Sequence, residues 1–467
     1  MSATTSGNGN FHPMRQRSGL LTDLYELTMA AGYLQTGFEA RATFELFVRN
    51  LPPRRNYLVA AGLEQCLEFL QKVSFTPQEI EFLRSHPVFR TIREDFFAYL
   101  SRFRFTGDVW AVPEGTLVFA GEPILRVTAP IIEAQIMETY LLATISFQTM
   151  IASKAARVVT AAQGRPVVEF GARRAHGPEA SLLAARAAYI GGCDGTSNVL
   201  AGHSFGMSTY GTQAHSWIMA HEDEGEAFGH FLDAFPDHAV LLLDTYNVHA
   251  ALEKILRMGR KPAGVRLDSG NMVKDSQWVR RALDRQGWKD VKIFASGDLD
   301  EKKISSLLKA GARIDAFGVG TALATPGDAP HLNLIYKLVE VERNGNVRGA
   351  AKLTQAKSTY PGRKQVYRHS KGGEFSYDQI VLESEPSPEG EPLLEKVMLE
   401  GKRLEKTGPL SDARDRCVSD LKQLPGRYLQ LQRDVKYPVH HSAQLKALLE
   451  GLKKQLKVSR VNRARTS

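Results

Sequence analysis

VLLLDTYN (240–247), AGVRLDSG (263–270), VKIFASGD (291–298) and IDAFGVGT (314–321) share one local pattern. Each is an apolar run, rich in β-branched residues, that ends in small or polar residues and is followed by a helical stretch. Three further runs precede them: VVEFGA (167–172), AAYIGGCDG (187–195) and MSTYGTQAH (207–215). A near-continuous apolar run is what a strand buried on both faces needs. Its regular alternation with helix implies βα units and a parallel sheet. Seven such runs favour a (β/α) barrel, complete or incomplete, over an open doubly wound sheet. No Gly-x-Gly-x-x-Gly follows the first run, which weakens a dinucleotide-binding reading.

Outward from this core the pattern is less regular. Towards the N-terminus, a helical period begins at Leu20, with Thr22 or Asp23 as its cap. A strand at ARATFELFV (40–48), a helix at YLVAAGLEQCLEFLQKV (57–73) and short strands at VWAVPEGTLVF and PILRVTAP follow. The stretch 131–155 reads as one buried helix. Beyond Thr325, Asn344-Gly345 signals a hairpin, RHSKGGEFSYDQIVL a second one, and the last sixty or so residues are mostly amphipathic helix. The expected organisation is a disordered leader over 1–18, an α+β domain over 19–130, a barrel-like domain over 131–335, and a β-hairpin and helical extension over 336–467.

The 467 residues are 43% hydrophobic and 24% charged, as in an ordinary globular protein. Cys66, Cys193 and Cys417 are too scattered for a disulfide framework or a cysteine zinc site. The polar N-terminus lacks a signal-peptide core, and the longest membrane-like run, 139–153, is too short to span a bilayer. A cytoplasmic protein with no membrane partner is expected. The net charge of +9 is spread along the chain apart from Lys453–Arg465. That stretch reads as a solvated tail rather than a nucleic-acid surface, and positive potential also suits phosphorylated substrates.

In a barrel, chemistry gathers where the strands end. These ends carry Glu169 and Arg173, Thr212 and His215, Asp244, Arg266 and Asp268, then Ser296-Gly297-Asp298, and finally Gly318-Val319-Gly320-Thr321. The last two loops suit phosphate: small residues let backbone N–H groups approach an anion, and Ser296 and Thr321 add hydroxyl donors. Tight βα turns need glycine for their own geometry too. Asp244 and Asp268 could merely cap the helices that follow them. As a pair beside Arg266 they could instead hold a magnesium-bound pyrophosphate or face a cationic sugar. His215 is either structural or a nucleophile toward phosphoryl groups. No His-Glu-x-x-His pattern points to zinc.

LLTDLYELTMAAGY, EFGARRAHGP, GGCDGTSNVLAG, YGTQAHSW, LLLDTYN, GVRLDSGN and FGVGTALAT stand in an order that resembles the nicotinate phosphoribosyltransferase family, over roughly residues 20 to 340. The resemblance implies a type II phosphoribosyltransferase core. It also implies transfer of phosphoribose from phosphoribosyl pyrophosphate to nicotinate, coupled to ATP with Mg²⁺. His215 would be the phosphorylated histidine, and Tyr25 would stack on the pyridine ring from the partner subunit of a homodimer. Thr212 and Arg266 would lie near nicotinate and its carboxylate. Arg173 would lie at the ribosyl phosphate, and Gly318, Gly320 and Thr321 in the phosphate loop. Arginine is the side chain best shaped for a carboxylate. Nicotinamide-using relatives carry an acid in the loop that here reads Gly211-Thr212-Gln213, so the acid substrate is favoured. An inactive, metabolite-binding paralogue is the reading from another class.

Overall fold

The apolar runs after residue 165 form six parallel strands: Val167–Glu169, Gly195–Thr196, Val240–Leu242, Gly264–Leu267, Lys292–Ala295 and Ala316–Val319. The protein is described from a computed structural model covering residues 18–353, 359–404 and 408–466, with side chains to residue 455. The expected leader therefore lies, but for Ser18, outside the described residues, as do the tail side chains from 456. The strand order runs from Gly195–Thr196 through Val167–Glu169, Ala316–Val319, Lys292–Ala295 and Gly264–Leu267 to Val240–Leu242. Val265, Leu267, Ile293, Ala295, Phe317 and Val319 are fully buried, as a sheet covered on both faces requires.

This barrel-like arrangement of parallel strands stays incomplete. The seventh run, MSTYGTQAH, contributes only an isolated parallel bridge, Thr196 to Thr209. Among the described residues no ladder joins it to Val240–Leu242. The run AAYIGGCDG also differs from its reading as a strand. Its first half ends the helix Pro178–Ile190, because Ala184, Ala185, Ala187 and Ala188 are strong helix formers. Gly191 and Gly192 then stop it, Gly192 with φ 103°, and only Gly195–Thr196 is extended. A Cβ on Gly191 would lie 2.3 Å from the Ala152 carbonyl oxygen, so helix and neighbour meet backbone to backbone there.

Two compact units divide the chain. One holds residues 150–330 and 410–418; the other holds the described parts of 1–149, 331–409 and 419–467. The residues after 336 thus mostly belong with the N-terminal ones, and the chain passes between units within the helix Glu138–Ala162. The single helix read over 131–155 is in fact two, Ile131–Ile136 and Glu138–Ala162, with Met137 between them.

In the first unit, strand Arg41–Val48 lies between Pro123–Pro130 and Leu334–Arg343, all antiparallel, in a seven-stranded sheet. Tyr57 does not open a helix: Leu58–Val59 pair with Leu117–Val118, and the helix starts at Leu63 after the left-handed Gly62. The first helix runs Leu24–Gln35; Asp23 stands at its cap position but makes no side-chain cap bond. Both hairpins form. Asn344 and Gly345, at φ 52° and 74°, turn one, and Gly372 and Gly373, at 62° and 82°, turn the other. Positive φ at both central residues matches the right-handed twist of the strands. Among the described residues no helix is long and apolar enough to cross a membrane.

Candidate active site

The strand ends of the barrel unit open into a cleft of about 940 Å³. It is lined by Arg173, Arg266, Asp268, Ser296, Gly297, Gly318, Gly320 and Thr321, all residues singled out by their place at strand ends. Arg266, near the end of Gly264–Leu267, organises the floor. Its Nε donates to Ser296 Oγ (2.8 Å), Nη1 to Thr212 Oγ1 (2.5 Å) and the Gln213 carbonyl (3.3 Å), and Nη2 to Asp268 Oδ1 (2.7 Å). A guanidinium has five N–H donors, so four bonds leave one for a ligand. Ser296 Oγ also donates a short hydrogen bond to Asp268 Oδ1.

The two aspartates are not helix caps. The helices that follow them are capped by Asn247, which accepts from the Ala250 N–H, and Asn271, which accepts from the Lys274 N–H. Asp244 Oδ2 instead accepts from the Asp268 N–H (3.0 Å) and Ser269 Oγ (2.5 Å). Its Oδ1 is buried without a hydrogen-bond partner. Burial opposes charge on Asp268, but the Ser296 and Arg266 hydrogen bonds, the Arg266 charge and His215 outweigh it and hold the carboxyl below the usual range. Two carboxylates, one with an orphaned oxygen, form an oxygen donor set of the kind Mg²⁺ shares with substrate phosphates. Among the described residues there is no group of three or more metal-ligating side chains.

His215 begins the short helix His215–Met219. Its Nδ1 lies 3.1 Å from Thr245 Oγ1 and its Nε2 3.9 Å from Asp268 Oδ2, with the side chain 43% exposed. The ring is thus fixed on one side and open on the other, a few ångströms from the Arg266 network.

Close backbone approach explains the glycines. Gly297 has φ 89°, and a Cβ there would fall 1.8 Å from the Asp268 carbonyl oxygen. At Gly318 a Cβ would strike the rings of Phe170 and Phe294, and at Gly320 it would lie 2.9 Å from the Phe170 carbonyl. Glu169 faces inward: it accepts from Thr196 Oγ1 (2.6 Å) and, in a short bond, from the Gly171 N–H, while burial pushes its carboxyl up.

Thr212, His215 and Asp244 do not line the cleft but adjoin it through their contacts with Arg266 and Asp268, whereas the Gln213 side chain and Tyr25 stand apart. The Gln213 side chain is buried, both amide atoms lack hydrogen-bond partners, and it does not line the cleft. Tyr25 belongs to the other compact unit, on Leu24–Gln35, and the residue is 45% exposed. Thr245 and Lys303 went unnoticed in the sequence. Thr245 sits between the more conspicuous Asp244 and Tyr246. Lys303, whose Nζ donates to the Asp298 carbonyl (2.7 Å), looks like any lysine on an exposed helix face.

Residues 20–146 match the family model of the nicotinate phosphoribosyltransferase N-terminal domain, and residues 388–449 that of the C-terminal domain. Residues 151–328 match the quinolinate phosphoribosyl transferase C-terminal domain. The nicotinate phosphoribosyltransferase pncB2 of Mycobacterium tuberculosis is 43% identical over 91% of this chain and 92% of its own length. That of Bacillus subtilis is 40% identical over 78% and 77%. The crystal structure of human nicotinic acid phosphoribosyltransferase superposes with a TM-score of 0.81 at 29% identity, covering 92% of this chain and 99% of the human one. A nicotinate-nucleotide pyrophosphorylase from Pyrococcus furiosus does so at 0.71 and 28%, covering 87% and 95%. With such likeness along nearly its whole length, this chain belongs to the nicotinate phosphoribosyltransferase family.

Proposed function

We propose that this chain joins nicotinate to phosphoribosyl pyrophosphate, giving nicotinate mononucleotide and pyrophosphate, as the first step of NAD salvage from nicotinate. We further propose that it couples this transfer to ATP hydrolysis through a phosphohistidine at His215. One observation carries the reading: a four-bonded Arg266 and an ionised Asp268 share one cleft, and His215 stands beside them with its Nε2 3.9 Å from Asp268.

The remaining donor of Arg266, with Thr212, binds the nicotinate carboxylate. The pyridine nitrogen then displaces pyrophosphate from the ribose carbon, which becomes cationic as the bond breaks. Asp268 stays charged and stabilises that cation. Arg173 and the loops of Ser296-Gly297 and Gly318 to Thr321 take phosphate groups through side-chain and backbone donors. Asp244 and Asp268 would hold Mg²⁺ with the pyrophosphate, and the ion supplies charge neutralisation on the leaving group. Tyr25, exposed together with Leu21, Leu24 and Met29, reaches the pyridine ring of a second copy in a homodimer. The enzyme works in the cytoplasm.

The test is product formation from nicotinate and from nicotinamide, each with and without ATP, for the wild type and for His215→Ala. Nicotinate turnover stimulated by ATP, with labelled phosphate on the wild-type protein alone, is the expected result. Preference for nicotinamide would reverse the substrate. Full ATP stimulation of His215→Ala would remove the phosphohistidine, and no pyrophosphate release with either base would leave a binding protein.

A further inference from the structure

The opposite end of the same strands carries a second cleft, of about 810 Å³, whose walls are rich in arginine. It is built from Arg165, just before strand Val167–Glu169, from Arg280 and Arg281 on helix Met272–Arg285, and from Arg313, just before strand Ala316–Val319. A four-residue strand spans roughly 13 Å, so this cleft and the active-site mouth lie at the two ends of shared elements.

Part of the wall is held in place before any ligand arrives, while Arg281 and Arg313 are exposed. Arg280 donates to Asp284 Oδ1 (2.9 Å) and to the carbonyls of Val291 and Trp288 (both 2.8 Å). Arg165 Nε donates to the Ile314 carbonyl (2.9 Å), and Gln277 Nε2 to that of Gly311 (3.1 Å). The Ser276 hydroxyl accepts from the Arg313 N–H (3.0 Å).

The carboxylates of the cleft are already engaged. Asp284 pairs with Arg280, and Asp315 Oδ2 accepts from the Ile293 N–H (2.8 Å). Arg165, Arg281 and Arg313 make no ion pair among the described residues. The four guanidiniums of the concavity, Arg165, Arg280, Arg281 and Arg313, outnumber its two carboxylates, Asp284 and Asp315, and an anion with several charged oxygens offsets that excess. Guanidinium forks fit phosphate oxygens two at a time, and the volume is that of a small-molecule site.

We propose that this far-end cleft binds a small polyphosphate-bearing anion, such as a nucleoside di- or triphosphate, separately from the active-site mouth. The proposal does not depend on which base the mouth uses.

Calorimetric titration of the full chain with sodium tripolyphosphate, at roughly physiological salt, tests it. R281E/R313E is compared with the wild type, and R281Q/R313Q removes charge without reversing it. The wild type is expected to take up one more tripolyphosphate per chain than R281E/R313E. R281Q/R313Q should bind that ion about tenfold or more weakly, since hydrogen bonds to charged groups are lost. Nicotinate turnover without added polyphosphate should be equal in all three. Equal stoichiometry and affinity in the three proteins would overturn the proposal. So would loss, in the variants, of binding to single-stranded DNA alone, which would assign the surface to nucleic acid. If no protein turned over nicotinate, the reading of the mouth would fail, and the difference in tripolyphosphate uptake would still decide this one.

Discussion

Arg266 concentrates the chemistry of the mouth because its planar fork reaches Ser296, Thr212, the Gln213 carbonyl and Asp268 at once. Arg266→Ala removes the proposed carboxylate partner and leaves Asp268 without its cation. A charge-assisted bond lost together with an uncompensated carboxylate corresponds to about 3–4 kcal/mol, so kcat/KM for nicotinate should fall about 10²- to 10³-fold. Arg266→Lys, which keeps charge but not the fork, should recover little of that loss. Steady-state kinetics on both variants checks this. Gly297 is constrained by both its φ of 89° and the Asp268 carbonyl oxygen 1.8 Å from where a Cβ would be. Gly206, at φ 67°, has open space instead. Gly206→Ala should cost about 1–2 kcal/mol and Gly297→Ala about 3 kcal/mol or more. Denaturant midpoints of the two variants measure the difference.

Among the elements, the strand Val439–His441 adds parallel to Glu374–Leu382, placing His441 opposite Ile380 and stacked on Tyr360 at 4.1 Å. Burial, with the charges of Lys446, Lys364 and His440, pushes the His441 pKa down to about 4 from an ordinary 6.5. The folded imidazole therefore stays neutral where the unfolded chain already takes up a proton. Stability from this group is fully present above pH 6.5 and is lost as the pH falls through 4. His441→Phe keeps the stacking and should flatten the pH dependence of the melting temperature between those values. An unchanged slope would place the acid sensitivity elsewhere. The hairpins were legible from Asn344-Gly345 and Lys371-Gly372-Gly373 because turn chemistry is local. The strand at 207–215 was not: its residues have strand character, yet they form a single bridge, Thr209 to Thr196, and no ladder.

At the scale of the molecule, the proposed homodimer makes a prediction that neither residue makes alone. If Tyr25 serves the site of a second copy, His215→Ala and Tyr25→Ala each lack ATP-stimulated turnover as pure proteins. Mixed and re-equilibrated, they form hybrids in which one of two sites is intact. Random pairing then restores about a quarter of wild-type turnover in an isologous dimer. No recovery, with exchange verified by tagged chains, would mean that Tyr25 acts within its own chain or not at all.

Periodicity alone determined the parallel, barrel-like core, since buried strands must be apolar throughout and strand–helix alternation leaves few other solutions. It also marked the strand ends at Arg266, Asp268, Ser296 and Gly318 as places for chemistry. Only the tertiary structure decided that the ring of strands stays open, because closure depends on pairing between segments distant in sequence. It also decided that residues after 336 mostly join the N-terminal unit. It showed that Asp244 and Asp268 are freed from capping by Asn247 and Asn271, and that Arg266 binds partners 30 and 54 residues away. Such bonds depend on which strands become neighbours, and no local pattern of residues encodes that choice.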